Sequence, residues 1–196
     1  MHRVFAVNLS QTLTLRPAFL LAMLAGLAIV QQRAVGEEKA SVSVFGEATL
    51  SVPSDFKRVP VQSSILEHEF EAKMGEGDEA PAARVTMMAA GGDVADNIRR
   101  WQDQFSGGKQ EAQKTEELKI GAWQVHLVDV SGAYQERMGG GPFAGGKVVT
   151  RENFGMTGAI LVHPQGRKYF VKMIGPVEVV KANREAFVQM IKSIDQ

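Results

Sequence analysis

Cysteine is absent from this 196-residue sequence. That removes disulfides, thiolate metal sites and cysteine nucleophiles together, along with the residue on which a bacterial lipoprotein carries its lipid. A charge imbalance is missing as well: Lys and Arg number 22, Asp and Glu 22. A strong excess of one sign would steer the chain toward nucleic acid or anionic lipid, and no such excess exists. Acids are absent from the first 36 residues, which hold Arg3, Arg16 and Arg33. The remainder carries 19 basic and 22 acidic residues, a mild net charge of −3. Also lacking are G-x-S-x-G, H-x-H, H-x-x-x-H and H-E-x-x-H, the spacings that place a nucleophile or two metal ligands together. Apolar residues make up 44% and charged residues 22%, ordinary values for a folded domain.

The longest apolar run is Ala18–Val30, thirteen residues. As a helix it reaches about 20 Å, short of the roughly 30 Å hydrocarbon core of a membrane. Arg3 and Arg16 precede it, and the small-residue stretch Ala34-Val35-Gly36 follows. A basic start, an apolar middle and an A-x-G site form a secretory signal peptide, expected over residues 1–36. The alternatives are a buried core helix or an uncleaved anchor with Gln31–Arg33 at the interface. Residues 37–46 read as a linker and 47–196 as one globular domain. Export to the periplasm or the exterior is therefore expected, with no membrane span after cleavage.

Periodicity organises the rest. Ala48–Val52 reads as a short strand ending at Pro53. Leu66–Ala72 alternates, with Leu66, His68, Phe70 and Ala72 on one face and Glu67, Glu69 and Glu71 on a wet face. After the Gly75–Pro81 loop, Ala83–Ala90 completes a hairpin. Asp93 caps a helix whose apolar stripe is Val94, Ile98, Trp101 and Phe105, with Arg99, Arg100, Gln102 and Asp103 outside and Gly107-Gly108 as its stop. Lys109–Glu117 reads as a polar connection. Leu118–Ile120 and Trp123–Ser131 form a hairpin around Gly121-Ala122, the longer strand turning Trp123, Val125 and Leu127 to one face. Met138–Lys147 reads as a mobile loop. Ala159–Val162 and Lys168–Ile174 form a hairpin around His163–Gly166. Pro176 opens a helix running to about Ile194, with Val180, Phe187, Ile191 and Ile194 as its stripe and Val177 and Met190 beside it. Strands that arrive as hairpins imply an α+β fold, a mostly antiparallel sheet flanked by two main helices.

Ala48–Phe56 (ATLSVPSDF), the central amphipathic helix, the hairpins, and Tyr169–Pro176 leading into a helix that closes on Met190–Ile194 (MIKSI) together resemble the PsbP/Mog1-like α/β/α sandwich over about residues 45–196. Phe56 stands where many relatives have Trp. The family contains photosystem accessory subunits, a GTPase-binding factor and many exported bacterial proteins. The resemblance implies a non-catalytic accessory or binding module; no metal-binding or partner-binding residue of the family maps onto a position of this chain.

Candidate chemistry is sparse. Gly141–Val148 fits G-x-x-x-x-G-K but places Val148 where a Ser or Thr should hold Mg²⁺, and its flanks are not the strand and helix a phosphate loop needs. Gly139 and Gly141 give a near-miss to the dinucleotide fingerprint and fail on the same context. His68, His126 and His163 lie in or at the ends of strands and read as ordinary sheet residues, although with Glu67, Glu69 and Asp129 a metal site can be drawn. Glu67, Glu69 and Glu71 read as a solvated row rather than a glycosidase pair. Ser106 and Ser131 lack the nucleophile elbow, and Trp101 and Trp123 read as core. No catalytic, cofactor-binding or metal residue is assigned, and no cofactor is expected. The expected partner is an unknown protein or small molecule, not nucleic acid. The rival readings are an envelope-associated hydrolase using a His/Glu site and a structural or assembly protein of the envelope.

Export is checked by N-terminal sequencing of the protein from the producing cells: the first residue should fall within a few positions of Glu37, and a start at Met1 would end the signal-peptide reading.

Overall fold

A computed structural model describes residues 40–108, 113–138 and 147–195. The expected signal peptide, residues 37–39 of the expected linker, residues 109–112 of the expected polar connection and residues 139–146 of the expected glycine-rich loop lie outside the described residues.

The described residues open with a hairpin where residues 41–46 were expected to be linker. Ser41–Val44 (β1) pairs antiparallel with Ala48–Ser51 (β2), and the Val52 N–H donates to the Ala40 carbonyl at 2.7 Å. The reason is burial: Val42, Val44 and Leu50 are sealed in the main core. The two central turn residues, Phe45 and Gly46, have φ of 57° and 72°. With the Glu47 N–H donating to the Val44 carbonyl at 3.1 Å they form a tight turn of positive φ within the three-residue loop Phe45–Glu47, since Val44 pairs with Ala48. It suits Gly46 and strains a bulky Phe45.

The main sheet is built from hairpins and is antiparallel throughout, as expected. Its order is Phe56–Arg58 (β3), His68–Lys73 (β4), Ala82–Ala90 (β5), Lys168–Pro176 (β10), Lys147–Val162 (β9) and Trp123–Met138 (β8). Two short strands, Phe105–Ser106 (β6) and Lys114–Ile120 (β7), pair with different stretches of β8. β7 replaces part of the expected polar connection. It is an edge strand whose outward residues are all charged or polar, so its pattern reads like a loop. The β7–β8 turn is as expected, with Ile120 opposite Trp123 and Gly121 at φ 53°.

β8 and β9 are sixteen residues each, far longer than expected. β10 pairs with β9 only as far as Phe154, where it ends at Pro176. Beyond that point β8 and β9 continue as a ribbon to Met138 and Lys147, with the two-residue β6 beside Ala133 and Tyr134, after a register shift between Gly132 and Tyr134.

Val177–Lys192 (α2) and a 3₁₀ turn at Ser193–Asp195 close the chain. Phe187, Met190, Ile191 and Ile194 are buried with Trp123, Val125, Leu127, Tyr169, Val171, Met173 and the β1–β2 hairpin. Each such large side chain contributes about 1.5–3 kcal/mol by leaving water. Val94–Gln102 (α1) lies on the opposite face, since Trp101 packs with Val128, Met156, Ile160 and Phe170, the alternate residues of the same strands. The result is an α+β fold with one helix on each side of the sheet. No helix among the described residues is long and apolar enough to cross a membrane.

α1 starts as expected, the Asp93 carboxylate accepting from the Asp96 N–H at 3.1 Å. It ends four residues early, at Gln102, with Asp103 as its cap. Phe105 still reaches the expected apolar cluster, but from β6, where it pairs with Tyr134. Gly108 is not a helix stop: a Cβ there would lie 2.0 Å from the Ser131 carbonyl oxygen, so the chain passes too close to β8 for any side chain. Gly158 plays a similar part in the sheet, since a Cβ there would lie 2.7 Å from Cζ3 of Trp101.

Trp101 is 3% exposed and its ring meets Phe170 edge to face at 5.1 Å. Trp101→Ala should cost about 3–5 kcal/mol in urea unfolding, and Gly158→Ala about 1–3 kcal/mol by forcing the indole off its seat. A loss below about 0.5 kcal/mol for Trp101→Ala, the surface range, would place that ring in water.

Candidate functional site

A nine-residue helix is about 14 Å long and cannot cover a wide sheet. Trp101 seats α1 over β8, β9 and β10. On the same face, β4, β5 and β10 present a row of polar side chains. Glu71 is opposite Arg84, and Glu69, Thr86 and Lys172 stand side by side across three strands. Of these, Glu69, Glu71 and Arg84 line an open cleft of about 500 Å³ together with Glu136 of the ribbon, walled on the other side by Val59–Gln62.

Glu69 was expected on a wet face, and the structure corrects this: it is 2% exposed. Period-two patterning says only that its side chain opposes Phe70; it does not say that water covers that side. Arg84 covers it, donating from Nε at 2.5 Å and Nη2 at 3.1 Å, and the Gln62 N–H donates to the same carboxylate at 3.1 Å. The Arg84 hydrogen bond holds the Glu69 carboxyl below its ordinary range, with burial opposing and the Gln62 N–H assisting. Arg84 is raised in turn by Glu69. Glu71 is half-buried, and Glu67 accepts from the Ala89 N–H at 3.2 Å.

Two further groups on this face are displaced from their ordinary titration. Burial pushes the Tyr134 phenol up, with Glu136 adding and Arg84 opposing. Lys172 is pushed down to about 8, first by burial and then by Arg84 and Arg100. Its Nζ sits 5.4 Å from the Trp101 ring centroid. Both shifts share Arg84 as a cause, and perturbed groups gathered around one charge that borders a cleft mark a candidate site. Neither Lys172 nor Tyr134 was singled out from the sequence. A lysine in the middle of an otherwise apolar β10 was the available signal.

A second cleft, about 430 Å³, lies between α2 and the strands β7 to β9, floored by Val130, Met156, Val177 and Val180. At its rim Asp129 accepts from Thr157 Oγ1 at 2.7 Å and from Arg184 Nε and Nη2 at 3.0 and 2.7 Å. Glu116 is held low by Lys114. Its charges are satisfied within the protein.

The three histidines of the described residues occupy three separate neighbourhoods. His68 lies on the α2 face of β4, with Nδ1 3.1 Å from Arg58 Nη1, and its pKa is lowered by burial and then by Arg58. His126 is buried on the α1 face of β8, 3.4 Å from Glu117. His163 Nε2 lies 2.9 Å from Glu47 Oε2. Arg167 also donates to Glu47 at 2.7 Å and stacks over Phe45 at 4.4 Å. That cluster fastens the β1–β2 turn to the β9–β10 turn and holds Phe45 in its strained conformation. Asp129 and Glu69 join none of these histidines, and among the described residues no three His, Asp or Glu side chains group as metal ligands would. Ser106 Oγ faces the Ala133 carbonyl at 3.5 Å, and Ser131 lines the second cleft. Of the phosphate-loop string only Lys147 and Val148 are described, and they open β9 as strand.

No protein-family model matches the chain, and no curated protein matches it.

Glu69→Gln should remove the charge that Arg84 and Gln62 bind, at a cost of about 1–3 kcal/mol. The folded-state pKa of Glu69 is depressed, so its stabilisation is complete above the unfolded value of about 4.3 and is lost as pH falls through the folded value. The difference between wild type and Glu69→Gln in urea midpoint should therefore be full at pH 7 and shrink below about pH 4. A difference that persists undiminished at pH 2 would assign the effect to packing instead.

Proposed function

We propose that the protein is an exported, non-enzymatic binding or accessory module of the PsbP/Mog1-like kind, and that its partner docks on the half-covered face of the sheet. The placement of α1 and α2 on opposite faces of an antiparallel sheet supports the fold part of this reading. The observation that carries the functional part is the charge arrangement of the open cleft. Glu69 is fixed by Arg84 and Gln62, and Glu136 accepts from Arg151 Nε at 2.8 Å. A carboxylate held charged and in a fixed direction, as Glu69 is, suits recognition. A general base works best with a pKa near the working pH, and Glu69 is moved away from it. Lys172 moves toward neutrality, but no acid or base among the described residues lies in hydrogen-bond reach to exchange a proton with it.

The test compares wild type with Arg84→Glu, which sets a carboxylate against Glu69, and with Lys172→Met, which keeps the aliphatic stem. Each is used to capture binding material from the envelope fraction of the producing cells, with bound metals measured on the same samples. A component retained by wild type and reduced at least about tenfold by either folded variant is expected, equivalent to the roughly 1.4 kcal/mol of one good polar contact. Equal retention by all three folded proteins would remove the cleft from the binding surface. Hydrolysis of ester or glycoside substrates that is abolished by Glu69→Gln would favour the hydrolase reading.

A further inference from the structure

Among the described residues β7 has one strand partner, β8, and so forms an edge of the sheet. The turn at Gly121-Ala122 fixes which of its backbone groups are spent. Ile120 and Trp123 close that turn, so Ile120, Leu118 and Glu116 exchange hydrogen bonds with Trp123, Val125 and Leu127. Thr115, Glu117 and Lys119 fall between them and turn their N–H and C=O groups away from β8. The edge is open in space: Glu117, Leu118 and Lys119 border a hollow of about 390 Å³ together with Ala122, Trp123 and Gln124. The side chains of Thr115, Glu117 and Lys119 are exposed, while Leu118 and Ile120, on the α2 face, are half-buried against the main core. An edge with outward N–H and C=O groups is a template for another strand.

Charge decides which strand fits. An antiparallel second copy of β7 brings outward backbone groups opposite one another when the pair is centred on any residue from Glu116 to Lys119. Centring on Glu117 or on Lys119 sets a charge against its own copy. Centring on Glu116 leaves Glu117 opposite Thr115 and Lys119 opposite Gln113. Centring on Leu118 sets Glu117 of each copy opposite Lys119 of the other, and brings the two Leu118 side chains together on the α2 face. Glu116, which then faces Ile120, is already held by Lys114 and Arg184. Glu117 lies 3.4 Å from His126 within its own copy, on the side away from the incoming strand.

We propose that β7 is a self-complementary edge through which two copies of this chain pair antiparallel about Leu118 and join their sheets into one. Glu117 of each copy exchanges both backbone hydrogen bonds with Lys119 of the other, and the side chains of the same residues pair as opposite charges. The two Leu118 side chains lose water together, beside Ile120. The charges also act as a filter. They oppose strands that do not present acid and base in the matching order. The two-fold axis of such a pair stands perpendicular to the sheet, so both copies turn α1 to the same side and present their half-covered faces in one direction. The pairing does not rest on what those faces bind. A contact confined to one strand edge is small, so the pair forms at high concentration and dissociates on dilution.

Sedimentation velocity of the protein from about 10 µM to about 1 mM is the test. Wild type should pass from monomer to dimer across that range, and less readily as salt is raised. Glu117→Lys and Lys119→Glu, both at exposed positions and checked for folding by circular dichroism, each set like charges opposite in a homodimer. Each should raise the dissociation constant at least about tenfold. Lys119→Gln, which removes attraction without adding repulsion, should lie between these and wild type. An equal mixture of Glu117→Lys and Lys119→Glu restores opposite charges at both positions, so its heterodimer should form about as tightly as the wild-type pair. The self-pairing is overturned by a wild type that stays monomeric at about 1 mM. Folded variants that dimerise as tightly as wild type, or a mixture no tighter than its components, overturn it too. A monomeric wild type whose capture of an envelope component is lost in Lys119→Glu would assign the edge to a foreign strand and likewise end the proposal.

Discussion

The pairing of β10 with β5 on one side and β9 on the other is the constraint from which the rest of the structure follows. Nine residues, Lys168–Pro176, are held between two partners, and alternation then sends Tyr169, Val171 and Met173 to one face and Phe170, Lys172 and Ile174 to the other. A slip of one residue would exchange the two sets and put Lys172 among the α2 side chains. α2 can cover its face fully because it is long and is helped by the β1–β2 hairpin. α1 is short and covers only part of its own. The functional asymmetry of the molecule is thus a matter of how much helix each face receives.

Much of the fold was legible because long apolar patterns carry it. The hairpins at Gly121-Ala122 and His163–Gly166, the Asp93 cap and the α2 stripe all follow from local rules. What escaped was either too short or too exposed to show a pattern. Ser41–Val44 offers only two valines, and β7 turns charged residues outward. The extra length of β8 and β9 escaped because a ribbon flanked by no more than the two-residue β6 needs no continuous apolar face. Phe105 continues the spacing of the helix stripe while belonging to a strand, which shows that one apolar face can be assembled from two elements.

The candidate site was less legible, for a different reason. Glu69 and Arg84 meet across a strand pair whose register a sequence does not state, and the cover over Glu69 comes from the Val59–Gln62 loop. The bonds from Arg167 to Glu47 span 120 residues, and no local pattern encodes such a partner. Lys172 was visible as one charge within an apolar strand, but its significance depends on which face it takes and on the shortness of α1. Separation of the three histidines could be argued in part beforehand, since ligands on opposite faces of a sheet cannot converge.

The β1–β2 hairpin carries a consequence for how the chain reaches this state. Its backbone is tied to the far end of the molecule, the Ser51 N–H donating to Ser193 Oγ at 2.8 Å across 142 residues. Part of the seating of β1 and β2 therefore waits on the turn at Ser193. Contacts of such long range form late and slowly, since a large loop must close before they return any stabilisation. A polypeptide that has not yet reached Ser193 lacks this tie, so the β1–β2 hairpin gains its full anchorage only once the turn after α2 is in place.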